Sequence, residues 1–165
     1  MHRRIHWIVI LLVSAFVSVS TTFAQTVIIN EIMSSNATTK GDASGEYADW
    51  IELYNATLDT IDLGGYGLSD NYSEPYKWIF PSITVAPAGH LLVWASGKDS
   101  TDAGGELHTN FKIKAEGEEL LLTHPDGTRI QDLSPVSIAT DVSYGRYPEA
   151  GPEWYLFDNP TPGSR

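Results

Sequence analysis

The sequence predicts an all-β protein that folds as a β-sandwich. Short stretches of β-branched and apolar residues recur along the chain, with Gly and Pro between them. No window of the mature chain keeps an apolar period typical of a helix. Short strands separated by turns at this spacing are typical of a two-sheet sandwich.

The first two predicted strands show how the sheets are built. Residues 27–33 form a β-branched opening strand, and residues 50–54 alternate in character. The alternation places Ile51 and Leu53 on one face of the strand and Glu52 and Tyr54 on the other. We therefore expect a sheet that packs on one side and faces water on the other.

The later strands are bounded by turn residues. Residues 77–80 and 90–94 are apolar runs next to Pro81, Pro87 and Gly89, which predicts two deeper strands. Residues 120–123 and 129–133 flank a turn that contains Asp126-Gly127, a pair suited to positive φ. We expect these two segments to form a hairpin.

Three segments are predicted to lack regular structure. Residues 34–48 and 96–106 are polar and glycine-rich, which indicates loops that are either a binding surface or solvated connections. Residues 147–165 contain four prolines, so we expect an extended tail that closes the sandwich and leads outward.

The N-terminus is typical of a secretory signal peptide. Arg3 and Arg4 precede an apolar run over residues 8–19, and Ala24 is a small residue that a signal peptidase accepts. The run is shorter than the roughly 20 residues that span a bilayer, which argues against the alternative of a membrane anchor. We expect cleavage after Ala24, a secreted or cell-surface protein, and no membrane insertion of the mature chain.

Charge and cysteine content exclude several classes of function. The full chain has a net charge of −11, and removal of residues 1–24 leaves 8 basic against 21 acidic residues, or −13. A field of this sign repels phosphate backbones, so we expect no nucleic-acid partner. The chain has 0 cysteines, which removes disulfides, thiolate metal sites and thiol nucleophiles.

Nine segments, taken in their order and spacing, resemble the lamin-tail domain family. They are Ile28-Ile-Asn-Glu-Ile-Met33, Asp49-Trp-Ile-Glu-Leu-Tyr-Asn55, Ile61-Asp-Leu-Gly-Gly-Tyr-Gly-Leu-Ser-Asp70, Val85-Ala-Pro-Ala-Gly-His-Leu-Leu-Val-Trp94, Phe111-Lys-Ile-Lys114, Glu119-Leu-Leu-Leu122, Asp126-Gly127, Val142-Ser-Tyr-Gly-Arg146 and Thr161-Pro-Gly163. The resemblance implies an immunoglobulin-like β-sandwich over residues 25–165, in a secreted member of the bacterial type. Some nuclear members of that family contact nucleic acid, a property that the acidity of this chain argues against.

The familiar catalytic signatures are missing. The sequence has no Gly-x-Ser-x-Gly elbow, no His-Glu-x-x-His pair and no phosphate-binding loop, since Gly97-Lys98 is followed by Asp99. We therefore expect a protein that is not an enzyme. Scattered histidines give no spacing that indicates a zinc site.

Calcium is the metal that the composition favours, since hard cations bind clustered carboxylates. No cofactor is otherwise indicated, and a solvated acidic surface explains the same residues, because none of the clusters has the spacing of a calcium loop. The candidate calcium ligands lie in the two loops and are Asp42, Glu46, Asp49, Asp99 and Asp102.

Aromatic residues beside turns give the main indication of a ligand. Trp50, Trp78 and Trp94 lie in predicted strands and are expected in the core. Tyr72 and Trp154 are expected to be partly exposed, where a ring can stack on a sugar or contact a protein. Ordinary packing is the alternative for both.

The function class that fits is a non-catalytic secreted or cell-surface module that binds an extracellular protein or glycan, or positions partner domains. A second hypothesis is an N-terminal accessory domain of a larger secreted kinase, nuclease or hydrolase, since bacterial proteins that this chain resembles often combine the domain with such enzymes. A third is a calcium-stabilised adhesion domain. Nothing in the sequence indicates an oligomeric state.

Overall fold

The computed structural model describes residues 27–102 and 104–163, so the predicted signal peptide lies outside the described residues. Within these two ranges the chain forms twelve strands and no helix, hence no helix that could span a membrane. The strands are β1 (Val27–Met33), β2 (Asp49–Asn55), β3 (Ile61–Asp62), β4 (Gly67–Ser69), β5 (Trp78–Ile79), β6 (Thr84–Val85), β7 (His90–Ala95), β8 (Leu107–His108), β9 (Leu120–Thr123), β10 (Arg129–Leu133), β11 (Ser143–Arg146) and β12 (Trp154–Phe157).

The strands form two main sheets and one short ribbon. The larger sheet has the order β12-β11-β1-β2-β7-β8, the second has the order β10-β9-β4-β5, and β3 pairs with β6. The pairs are antiparallel except β7 with β8. The predicted hairpin is confirmed as β9 and β10, with Gly127 at φ 93° in its turn.

The main hydrophobic core draws on both large sheets, which confirms the predicted β-sandwich. Alternation along β2 turns Ile51 and Leu53 into this core, where both are fully buried. Leu120 and Leu122 of β9 are also fully buried in it. Trp78 belongs to the same cluster, so its predicted burial is confirmed. Each such aliphatic side chain contributes about 1.5–3 kcal/mol when buried.

A β-bulge in β1 ties the two sheets together. The register with β2 shifts between Ile29 and Glu31, which interrupts the ladder at a fully buried position. The side chain of Gln131 on β10 fills the gap, since its Oε1 accepts from the Ile29 N–H at 2.9 Å and its Nε2 donates to the Ile29 carbonyl at 3.3 Å. The buried main chain at the bulge is therefore satisfied by the opposite sheet.

The prediction of a water-facing outer side for the larger sheet is wrong. Glu52 is 0% exposed, and Trp50 and Trp94 on the same face are buried with Met33 in a second apolar cluster. The C-terminal tail covers this face, because the Gly163 N–H donates to Glu52 Oε2 at 2.6 Å. Alternation correctly predicts which residues share a face of the sheet, but it does not indicate which segment covers the outer face.

One further prediction needs correction. Residues 77–80 were expected as a deeper strand, yet β5 has two residues at the edge of its sheet and Ile79 is half exposed, whereas β7 lies inside its sheet as expected. The described part of the tail is mostly free of regular structure, as expected, and its residues 154–157 form β12. Prolines limit the length of that strand without preventing it, since Pro152 and Pro160 lie outside it.

Candidate functional site

Among the described residues, β12 forms an open edge of the larger sheet and pairs with β11 alone. The Tyr147 N–H donates to the Glu153 carbonyl at 3.2 Å, and Gly145 lies opposite Tyr155 two residues further along the same ladder. Hydrogen-bonded pairs alternate along an antiparallel ladder, so the main-chain groups of Trp154 and Leu156 point away from β11. The edge thus presents donors and acceptors for one more strand.

Large apolar side chains are exposed along this edge. Leu156 is 58% exposed, Tyr155 is 49% exposed and Tyr147 is 62% exposed. The rings of Tyr147 and Tyr155 meet edge to face with centroids 6.5 Å apart. Tyr147 and Tyr155 thus share one face, whereas Leu156 lies on the opposite face of the strand. These three residues, which we call the edge patch, place exposed apolar surface on both sides of an open strand, a combination typical of interaction sites.

Trp154 anchors the edge rather than extending the exposed surface. Its ring stacks on Tyr144 with centroids 5.0 Å apart, and the Arg146 guanidinium lies 4.7 Å from the ring centroid. Arg146 also donates to the carbonyls of Ile29 and Gly151, and burial lowers its pKa from the ordinary value. Trp154 is only half-buried, and its predicted ligand-binding role stays a prediction.

Tyr72 lies on the turn after β4 and is also half-buried. Its hydroxyl donates to the Leu133 carbonyl at 2.9 Å, and its N–H donates to Glu119 Oε2 at 3.0 Å. Burial, and next the nearby Asp132 and Glu119 carboxylates, raise the pKa of the phenol. The side chain therefore joins the turn to β10, and its predicted binding role is untested.

The sequence reasoning missed the edge patch. The prolines of residues 147–165 predict a tail mostly free of regular structure, and Tyr72 and Trp154 are the aromatic residues predicted to be partly exposed. The run Trp154-Tyr-Leu-Phe157 is nonetheless rich in residues that favour strands. In a strand, Trp154 packs inward with Tyr144, so its neighbour Tyr155 faces the other side.

The two polar loops meet in an ion-pair cluster. Asp42 is buried, and Lys98 from the second loop binds its carboxylate and also lies 2.9 Å from Glu46 Oε2. Burial alone would raise the pKa of Asp42, but Lys98, the Ser44 hydroxyl and nearby backbone N–H groups hold it well below its usual range. Lys98 thus supplies a positive charge where the sequence predicted a calcium ion.

Among residues 27–102 and 104–163, one group of acidic and histidine side chains is close enough to share a metal ion. It consists of Asp42, Glu106 and His108, whose candidate ligand atoms all lie within 4.8 Å of one another. Ser96 Oγ holds His108 Nδ1 at 2.9 Å, and burial, followed by the charge of Lys98, lowers the imidazole pKa. Glu106 directly precedes β8 and His108 lies in it, so the spacing of two residues was a weak signal for this pair.

The other predicted calcium ligands are not part of that group, although Asp102 lines the same pocket as Asp42, Glu106 and His108. Asp49 begins β2 and accepts from the Asn36 N–H at 3.1 Å, and burial raises its pKa. Asp99 is exposed with φ 54°, and Asp102 is exposed and accepts from the Gly104 N–H at 3.0 Å. The structure therefore brings together Asp42 and Glu46 around Lys98, and not the predicted five.

Two buried carboxylates on the outer face hold the tail. Glu31 lies directly opposite Glu52 across β1 and β2, and it accepts from the Thr161 N–H at 3.1 Å and the Thr161 hydroxyl at 2.6 Å. The Ser143 hydroxyl also donates to Glu31. Burial raises the pKa of Glu52 to about 7, although the Gly163 N–H and His90 act in the opposite direction.

The family model of the Lamin Tail Domain matches residues 20–137, more than half of the chain. The chain belongs to the lamin tail domain family. No curated protein and no solved structure matches it. Lamin tail domains are non-enzymatic and immunoglobulin-like, in agreement with the sandwich described above.

The lamin tail domain match covers β1 to β10 and stops before β11. The edge patch and β12 therefore lie beyond the matched stretch. Any role for this edge has to be argued from its own geometry and charge, because membership of the family does not assign one.

Proposed function

We propose that this lamin tail domain is a non-catalytic interaction module that binds a partner protein through the edge patch. The observation that carries the proposal is the coincidence of an open strand with exposed Tyr147, Tyr155 and Leu156. Exposed apolar area of this kind favours association because contact removes it from water. A protein partner is favoured over a glycan, since an open strand edge matches main-chain hydrogen bonding.

We also propose that the module works outside the cytoplasm, either alone or as an accessory domain joined to a secreted enzyme. The features of residues 1–24 support secretion, and the lack of cysteine is compatible with an oxidising compartment. The protein isolated from culture fluid or the cell envelope should begin at Gln25. N-terminal sequencing checks this, and a chain that still begins with Met1 would contradict it.

Site-specific crosslinking in the source organism tests the binding role. A benzophenone amino acid at position 155 should give a discrete crosslinked protein. Leu58 is the matched control, because it is 92% exposed and lies in the loop after β2. The same products from both positions, or none from position 155, would contradict the proposal.

A further inference from the structure

We propose that the occupant of the β12 edge is a short extended segment of another protein that adds as a strand and carries basic residues at its ends. The inference deepens the proposed function and rests on it. Its basis is the combination of main-chain geometry, flanking prolines and flanking charges around residues 154–157.

Strand β12 lacks the features that usually prevent another strand from pairing with a sheet edge. Residues 154–157 contain no proline, no lysine and no bulge, and their register with β11 is regular. Trp154 and Leu156 direct their N–H and C=O groups away from β11. An added strand therefore finds donors and acceptors at every second residue.

Two prolines set the length of the occupant. Pro152 precedes β12 and Pro160 follows it, and neither can donate a main-chain hydrogen bond. Strand addition is thus confined to residues 153–159. A segment of about six residues fits, given a rise of about 3.3 Å per residue.

The charges around β12 indicate the chemistry of the occupant. Glu153 and Asp158 are exposed and stand directly before and after the strand. The nearby Arg146 is engaged with Trp154 and with the carbonyls of Ile29 and Gly151. Opposite charges directly across paired strands attract, so Lys or Arg opposite Glu153 and Asp158 is favoured.

A second copy of this chain fits the edge less well. Self-pairing could place Trp154 of one copy opposite Leu156 of the other, and it would then bring Glu153 of one copy beside Asp158 of the other, two like charges. Each chain from Gln25 onward also has a net charge of −13, which opposes association with itself.

Three capped synthetic peptides test the proposal by NMR at low salt. The first is Lys-Val-Thr-Val-Thr-Lys, the second has Glu at both ends, and the third is the Lys peptide N-methylated at the residues that face β12. The Lys peptide should shift the amide signals of Trp154 and Leu156, slow their hydrogen exchange, and bind about tenfold more tightly than the Glu peptide. The N-methylated peptide should lose this binding while keeping its charge.

The double variant Glu153→Lys/Asp158→Lys provides the matched control. Both side chains are exposed, so the fold should be unchanged, and the preference should reverse in favour of the Glu peptide. Equal binding of the N-methylated peptide would reveal general charge attraction and overturn the proposal. So would shifts confined to other surfaces, no shifts at millimolar peptide, or a wild-type dimer through β12 in sedimentation.

The two proposals fail in distinguishable ways. Crosslinking from position 155 with no peptide addition would keep the interaction role and overturn strand addition. If the peptide adds at Trp154 and Leu156 but no partner is crosslinked, the edge can accept a basic strand, and the interaction role in the source organism is overturned.

Discussion

Glu52 is a carboxylate that a sheet would ordinarily expose to water, yet it is 0% exposed and lies opposite Glu31. Burial raises its pKa from 4.5 to about 7. The folded state therefore binds a proton more readily than the unfolded chain does. The stabilisation is complete below about pH 4.5 and is lost as the pH rises through about 7.

Between pH 5 and pH 8, Glu52 should lower the unfolding free energy of the wild-type protein by up to about 3 kcal/mol. We expect the variant Glu52→Gln to show a correspondingly smaller fall. The amide keeps an acceptor for the Gly163 N–H and carries no charge. Denaturant unfolding followed by tryptophan fluorescence measures the effect. The exposed Glu153→Gln is the control, and an unchanged pH slope in Glu52→Gln would refute this origin.

Lys98 neutralises a buried carboxylate at the meeting of the two polar loops. Lys98→Met leaves Asp42 without its ammonium partner. The unfolding free energy should fall, by less than for a fully buried pair, because Lys98 is 37% exposed and partly screened by water. Urea unfolding beside the exposed variant Lys40→Met tests this, and equal stabilities would count against it.

At the scale of elements, a side chain from the other sheet supports the bulge in β1. Gln131→Leu removes the hydrogen bond to the Ile29 N–H and one of the two to the Ile29 carbonyl, which keeps its bond from Arg146 at 3.3 Å. The variant should lose about 2 kcal/mol of unfolding free energy and protect the Ile29 amide less in hydrogen exchange. Asp132→Asn, an exposed change on the same strand, should have little effect. Wild-type stability in Gln131→Leu would show that water replaces the side chain.

Strands β2, β9 and β10 were predictable because local alternation and an Asp-Gly turn encode them. β12 was not, because its formation depends on pairing with β11 in a proline-rich segment. The burial of Glu52 was not predictable for a similar reason, since its hydrogen-bond partner Gly163 lies 111 residues away in the sequence. Local pattern predicts which way a side chain faces, and distant segments decide what covers it.

The same difference between local pattern and distant contacts applies to the candidate sites. The sequence placed Asp42 in a metal-binding loop but could not foresee Lys98, 56 residues later, on the same carboxylate. It indicated Trp154 as a partly exposed ring, and that ring is half-buried against Tyr144, while the more exposed side chains beside it are Tyr155 and Leu156. Tertiary pairing, and not composition, therefore defines the exposed surface.

At the scale of the whole molecule, one closed sandwich leaves one edge of its larger sheet apolar and open. The smaller sheet ends in β10 and β5, and the opposite edge of the larger sheet is the two-residue strand β8. Glu153 and Asp158 next to β12 are exposed and acidic, which opposes pairing with a further copy of this acidic chain. In our proposal, this edge of the described sandwich receives a basic, extended partner.

Amide hydrogen exchange at Trp154 and Leu156 tests the central claim most directly. The comparison is between the protein purified alone and the same protein isolated from its source under mild conditions with its associated proteins. The account predicts fast exchange of both amides in the isolated protein and marked protection in the associated state. Protection confined to other strands, with Trp154 and Leu156 equally fast in both preparations, would contradict it.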